Sequence, residues 1–150
     1  MSSLPDVAHQ AAAPLDDLEL VAVTARQRAY APYSRFMVGA AVRTEGGAIF
    51  GGCNVENASY GLTVCAERVA VFAAVAAGHR RITDVVVVTD ASPPSAPCGA
   101  CRQVLGEFGP SARVVAFNGR GERWESTVGE LLPRSCLLYT SDAADDLTRV

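Results

Sequence analysis

Two cysteine groups hold the residues whose types and spacing could do chemistry. One is Cys65-Ala66-Glu67, and the other is Pro97-Cys98-Gly99-Ala100-Cys101. Both open stretches with helical spacing. Cys98 and Cys101 stand three apart, so one helical turn brings them to the same side. At a helix N-terminus the dipole and the unpaired N–H groups favour thiolates, the form that binds a metal. Three thiolates suit Zn²⁺ with Zn–S distances near about 2.3 Å, and they fill three of its four positions. A closed structural site needs a fourth protein ligand, whereas an open site binds water. His79 lies past the end of the helix that Cys65 starts, roughly 20 Å away at about 1.5 Å per residue. His9 lies in a small-residue N-terminal segment, while Cys53 ends a strand-like run and stays a candidate. This poor choice of fourth ligands favours the open site. Zn²⁺ in an open site lowers the pKa of its water toward about 7 and makes a nucleophile near neutral pH.

Glu67 has two readings. As an isolated residue it is a first-turn carboxylate that complements the helix dipole. Two residues after a metal-binding cysteine it is a general acid–base beside the ion. A C-x-x-C pair alone would equally suit buried small residues or a redox pair, and the redox form follows a strand directly. Here Pro93, Pro94 and Pro97 intervene, and Cys65-Ala66-Glu67 stands upstream. The combined pattern resembles the zinc-deaminase signature His-x-Glu … Pro-Cys-x-x-Cys, with Cys in place of His.

The surrounding elements must bring these groups together. Asp16 and Glu19 resemble a capping box. Leu18, Val21, Ala22, Ala25 and Tyr30 then predict a helix over 16–30, closed by Ala31-Pro32. FMVGAAVRT, EGG and AIFGGCNVEN predict a hairpin. A second helix follows, with Thr63 as N-cap and Gly78 just past its end. Its Ala, Val and Phe content predicts burial on several sides. The run 85–88 is all valine, which suits a strand covered on both faces. A Pro-rich loop over 90–97 precedes a short helix over 98–108. A strand over 113–118, a turn at 118–121 and the run ERWES complete an α-β-β-α-β-α-β-β order. That order is an α/β domain with helices packed on a central sheet.

Composition sets the outer bounds. The chain has 150 residues, 49% of them hydrophobic, which suits one domain with a sizeable core. A net charge of −3 with 7% aromatic residues argues against a nucleic-acid surface. The sequence has no apolar run of about 18 residues, so no membrane span is expected. No signal-peptide pattern opens the sequence, so a cytoplasmic site is the expectation. In a reducing compartment five cysteines are read as buried, metal-bound or catalytic.

The chain resembles the cytidine deaminase family in its small, single-domain form. The resemblance rests on Ala31-Pro32-Tyr33-Ser34-Arg35-Phe36, Val38-Gly39-Ala40-Ala41, Gly52-Cys53-Asn54-Val55-Glu56-Asn57-Ala58, Cys65-Ala66-Glu67-Arg68, Pro97-Cys98-Gly99-Ala100-Cys101-Arg102-Gln103 and Glu130-Leu131-Leu132-Pro133. It runs from about residue 16 to 134, with 1–15 left as a flexible tail. It implies a three-layer α/β/α domain with a mixed sheet of about five strands. It implies one Zn²⁺ per chain on Cys65, Cys98 and Cys101, with Glu67 moving protons. The implied reaction is hydrolytic deamination of cytidine and deoxycytidine in pyrimidine salvage. Asn54 and Glu56 would hold the ribose 3′-hydroxyl, Phe36 would pack on the pyrimidine, and Ala58 would meet it through backbone groups. Tyr60 is placed at the sugar or at a subunit contact. Arg68 would donate to a ligand sulfur and offset the net −1 charge of three thiolates on Zn²⁺. Arg102 is a weaker candidate for the same task. The resemblance also implies a homotetramer with active sites at subunit interfaces.

The pattern breaks after Pro133. Cys136 stands where the family carries an aromatic residue, typically Phe, that reaches a neighbouring active site. The segment 135–150 reads as an atypical tail, similar to peptides produced when a sequencing adapter is translated. Three rival functions share parts of the pattern. Blasticidin S deaminase has the Cys-Ala-Glu and Pro-Cys-x-x-Cys pieces, but the Asn54–Asn57 motif and Arg68 favour the nucleoside enzyme. A polynucleotide-editing deaminase needs a cationic groove. A zinc-stabilised binding module would need no Glu67.

Overall fold

The structure is a computed structural model and describes residues 16–138. The expected tail over 1–15, His9 and most of the atypical segment over 135–150 lie outside the described residues. Helix α1 spans Asp16–Arg26, and strands β1 (Gly39–Thr44) and β2 (Ile49–Cys53) form the expected hairpin. A 3₁₀ turn at Tyr60–Leu62 leads into α2 (Ala66–Ala76). Strand β3 (Ile82–Val88), α3 (Gly99–Phe108), β4 (Arg113–Phe117), β5 (Arg123–Thr127) and the short α4 (Val128–Leu131) complete the order. The sheet runs β2-β1-β3-β4-β5. Only β3 and β4 pair in parallel, and the other neighbours are antiparallel. Among the described residues no helix is long and apolar enough to cross a membrane.

Alternation in the sheet makes three layers, because successive strand side chains point to opposite faces. Val85 and Val87 join Ala40, Val42 and Val114 in a core with Ala66, Ala70, Val71 and Ala74 of α2 and Leu105 of α3. Val86 and Val88 join Ala41 and Val115 beneath Leu18 and Ala22 of α1. The all-valine run is therefore covered on both faces, as its lack of alternation predicts.

Four local expectations change. Helix α1 stops at Arg26 rather than 30. Gln27, Arg28 and Ala29 bond carbonyls three residues back, which tightens the chain out of the α-helix. Tyr30 is then taken by backbone bonds to Asn54 and Glu56. Glu19 pairs with Arg123 on β5 instead of folding back in a capping box. The N-cap of α2 is Cys65, not Thr63, whose hydroxyl accepts from the Asn57 N–H instead. Gly78 does follow α2, at φ +98, where its N–H bonds Val75 and the His79 N–H bonds Ala74. That double bond pattern is a Schellman end, which needs a left-handed residue. Finally, α2 buries one face only. Ala66, Glu67, Ala70, Val71 and Ala74 face inward while Phe72 keeps 48% exposure. The composition is apolar all round, but one sheet covers only one side of a helix.

Candidate active site

The N-termini of α2 and α3 converge beside the C-terminal end of β3. Cys65 caps α2 and Cys98 caps α3, with Cys101 one turn on. The Sγ atoms of Cys65 and Cys98 are 3.7 Å apart, and those of Cys98 and Cys101 are 3.4 Å apart. Tetrahedral Zn–S bonds require S···S separations of about 3.8 Å. The donor set therefore fits one zinc ion. The described cysteines are all free of disulfides. Among the described residues no fourth Cys, His, Asp or Glu joins the cluster. Cys53 lines a separate groove between α1, β2 and α2. His79 stacks its ring on Phe50, with centroids 5.2 Å apart.

The thiols do not hold their protons equally. A hydrogen bond from the Cys101 thiol, aided by the Arg68 guanidinium, pushes Cys65 down to about 5. Cys101 is correspondingly pushed up by that bond and by burial. Arg68 Nη2 donates to Cys65 Sγ at 3.5 Å, and this contact holds the guanidinium firmly charged. Glu67 is 4% exposed. Burial, and then the negative charge on Cys65, pushes its carboxyl up to about 7. A carboxyl of that pKa both accepts and releases a proton near neutral pH.

These groups form the floor of a cavity of about 220 Å³. Cys65, Glu67 and Cys98 lie at its base, Phe36, Asn54 and Glu56 form one wall, and Ser95 and Ala96 another. Two of the three thiols that fit one metal and a buried, protonatable carboxyl thus line the same cavity, with the third thiol buried behind them. The sequence matches the model of the cytidine and deoxycytidylate deaminase zinc-binding region over residues 15–117.

The chain belongs to the cytidine and deoxycytidylate deaminase family. It is 51% identical over 126 residues to a cytidine deaminase of Halalkalibacterium halodurans, covering 83% of this chain and 93% of that one. The crystal structure of cytidine deaminase from Burkholderia pseudomallei superposes with a TM-score of 0.79 at 50% identity, covering 82% of this chain and 99% of that one. A blasticidin-S deaminase of Bacillus cereus is more distant, at 34% identity over 134 residues, 83% of this chain and 92% of that one.

Within this deaminase fold the expected wall residues are already engaged. Asn54 Oδ1 accepts from Val38 N at 2.9 Å, and its Nδ2 donates to Phe36 O at 2.7 Å. Glu56 accepts from the N–H groups of Tyr33 and Ser34, at 2.9 and 3.1 Å, and from Ser34 Oγ at 2.6 Å. The bond from Ser34 Oγ chiefly holds the Glu56 carboxyl below the usual carboxylate range. Both residues therefore brace the segment that carries Phe36, whose ring is 41% exposed. Ser34 also accepts from Phe36 N at 3.0 Å. Ser34 stands in the matched segment without a role assigned from sequence, although a serine that accepts from the N–H two residues on is a recognised local bond pattern.

Two expectations are not met within the chain. Ala58 and Tyr60 do not line the cavity, and Tyr60 is 81% exposed on the 3₁₀ turn. Arg102 does not reach a sulfur. Its guanidinium donates to the carbonyls of Pro97 and Leu131, each at 2.7 Å, because its side chain runs back along α3 toward the loop and α4.

Proposed function

We propose that the chain is a zinc-dependent hydrolase that converts cytidine and deoxycytidine to uridine and deoxyuridine with release of ammonia. Its place is pyrimidine salvage in a reducing, cytoplasmic compartment, where three free thiols persist. The observation that carries this reading is the buried Glu67 carboxyl lining one cavity with Cys65 and Cys98 of the three-thiol cluster. The bound zinc ion supplies Lewis-acid activation of water near neutral pH. Cys65, Cys98 and Cys101 hold that ion, and Arg68 offsets part of their negative charge. Glu67 takes one proton from water and hands it to the ring nitrogen as the water oxygen bonds to C4; it then takes the second proton from that oxygen and gives it to the amine as the C4–N bond breaks, so one water is consumed and ammonia leaves. Phe36 packs on the base. Asn54 and Glu56 keep unused lone pairs and one amide N–H, which suit sugar hydroxyls.

The cavity is smaller than the roughly 300–1,000 Å³ of most closed small-molecule sites. The chain assembles as a homotetramer with active sites at subunit interfaces, in which the exposed Ala58 and Tyr60 serve the neighbour's site. The greater identity to cytidine deaminases than to the blasticidin-S enzyme supports the nucleoside over the antibiotic. The test is ultraviolet absorbance of cytidine with purified, zinc-replete protein. Loss of the cytidine band as uridine forms is the expected result, and a persistent band with zinc bound overturns the reading.

A further inference from the structure

The cavity wall made by Ser95 and Ala96 belongs to a Pro-rich loop without regular structure, so something must hold it in place. Each end of this short wall hangs on one strong backbone contact. Trp124 Nε1 donates to Pro94 O at 2.9 Å, and Arg102 Nε donates to Pro97 O at 2.7 Å. Pro94 and Pro97 are both buried. Upstream, Asn118 Nδ2 donates to Ala91 O at 2.9 Å. Trp124 lies on β5, paired with Ala116 of β4, and its ring packs on the main core. The indole thus ties the wall to the rigid sheet.

We propose that Trp124 is a positioning residue for substrate binding, acting through the Pro94 carbonyl on the Ser95–Ala96 wall. It touches no reacting atom. Its N–H fixes the loop so that the wall meets the base at the depth set by Cys98. The inference rests on the deaminase reading above.

Trp124→Phe keeps an aromatic ring in the core and removes the N–H donor. A neutral hydrogen bond sets the expected effect at about three- to tenfold in KM for cytidine. The value of kcat should stay within about twofold and zinc content should not change, since the variant leaves Glu67 and the cysteines in place. The chain holds a single tryptophan, so emission from the unaltered protein reports this one contact even if the variant fails to fold. Saturation with uridine should change that emission. A KM unchanged in the variant, a fall in kcat or zinc content with KM unmoved, or an emission that ignores inhibitory uridine overturns the inference. Wild-type protein that does not deaminate cytidine instead overturns the parent reading, and the positioning role with it.

Discussion

Burial and hydrogen bonding give two carboxylates of this site opposite characters. Glu67 is enclosed and charged only at a cost, so it holds its proton up to about 7. Glu56 accepts three hydrogen bonds at the cavity wall and stays ionised well into acid. Glu67→Gln preserves shape and removes the titrating oxygen. It should keep zinc and fold while lowering kcat by about 10²–10⁴, the usual reach of general acid–base catalysis. Steady-state rates with metal analysis check this, and retained activity would remove Glu67 from the proton path. Glu56 yields a prediction about pH. Its folded pKa is depressed below the unfolded 4.5, so its contribution to stability is present above that value and lost as pH falls through the folded pKa. Ser34→Ala removes the bond that contributes most to the shift. The variant should melt below the wild type at neutral pH, and the gap should close as pH drops below about 4.5. Melting temperatures measured from pH 7 to 3 decide it, and a gap that is constant across this range contradicts the assignment.

At the scale of elements, the site depends on how closely α2 approaches β2. A Cβ on Gly52 would stand 2.4 Å from Ala70 N and 2.5 Å from Ala66 O. These are backbone atoms in the first turns of the helix that presents Cys65 and Glu67. Gly52→Ala must therefore push α2 off the sheet. Overpacking of this kind costs about 1–3 kcal/mol. The variant should melt lower and also bind zinc less tightly, because the helix N-terminus moves with the helix. Calorimetry and a competition titration with a zinc chelator test the two effects together. A destabilised variant with unchanged zinc affinity would show that the cysteines are positioned by α3 and its loop alone.

At the scale of the molecule, the proposed homotetramer would have to use surface that a single chain leaves exposed. Tyr60 is exposed and does not line the cavity of its own chain, and the outer face of α2 leaves Phe72 half-exposed. Gln103 Nε2 of α3 donates to Cys136 O at 2.7 Å. This bond holds the exposed Cys136 beside the helix that carries Cys101. An aromatic ring at 136 would stand on the exposed surface with no core contact to disturb. Cys136→Phe should lower KM for cytidine in the assembled protein and leave the chain's melting temperature nearly unchanged. Kinetics of the two proteins at equal oligomer content measure this, and an unaltered KM would exclude the missing ring as a cause of weak binding.

The chemistry was legible in the sequence because metal ligation and proton transfer demand particular residue types at short spacings. Cys65, Glu67, Cys98 and Cys101 obey that demand whatever surrounds them. The layering was legible too, since Val85 to Val88 lack alternation and the hairpin announces itself by its glycines. The destination of Arg102 was not, although the resemblance placed Arg68 at a sulfur. Arg68 and Arg102 each follow a cysteine of the cluster by one to three positions, yet one guanidinium reaches a sulfur and the other reaches the Pro97 and Leu131 carbonyls. The end of α1 was equally hidden, because Tyr30 leaves the helix only when Asn54 and Glu56 arrive to pair with it. The Leu131, Asn54 and Glu56 partners stand more than 20 residues away in sequence, and a bond of about 1 kcal/mol to a neighbour in space outweighs local propensity. Residue types and short spacings wrote the reaction into the sequence, and tertiary packing decided which polar groups hold the pocket in shape.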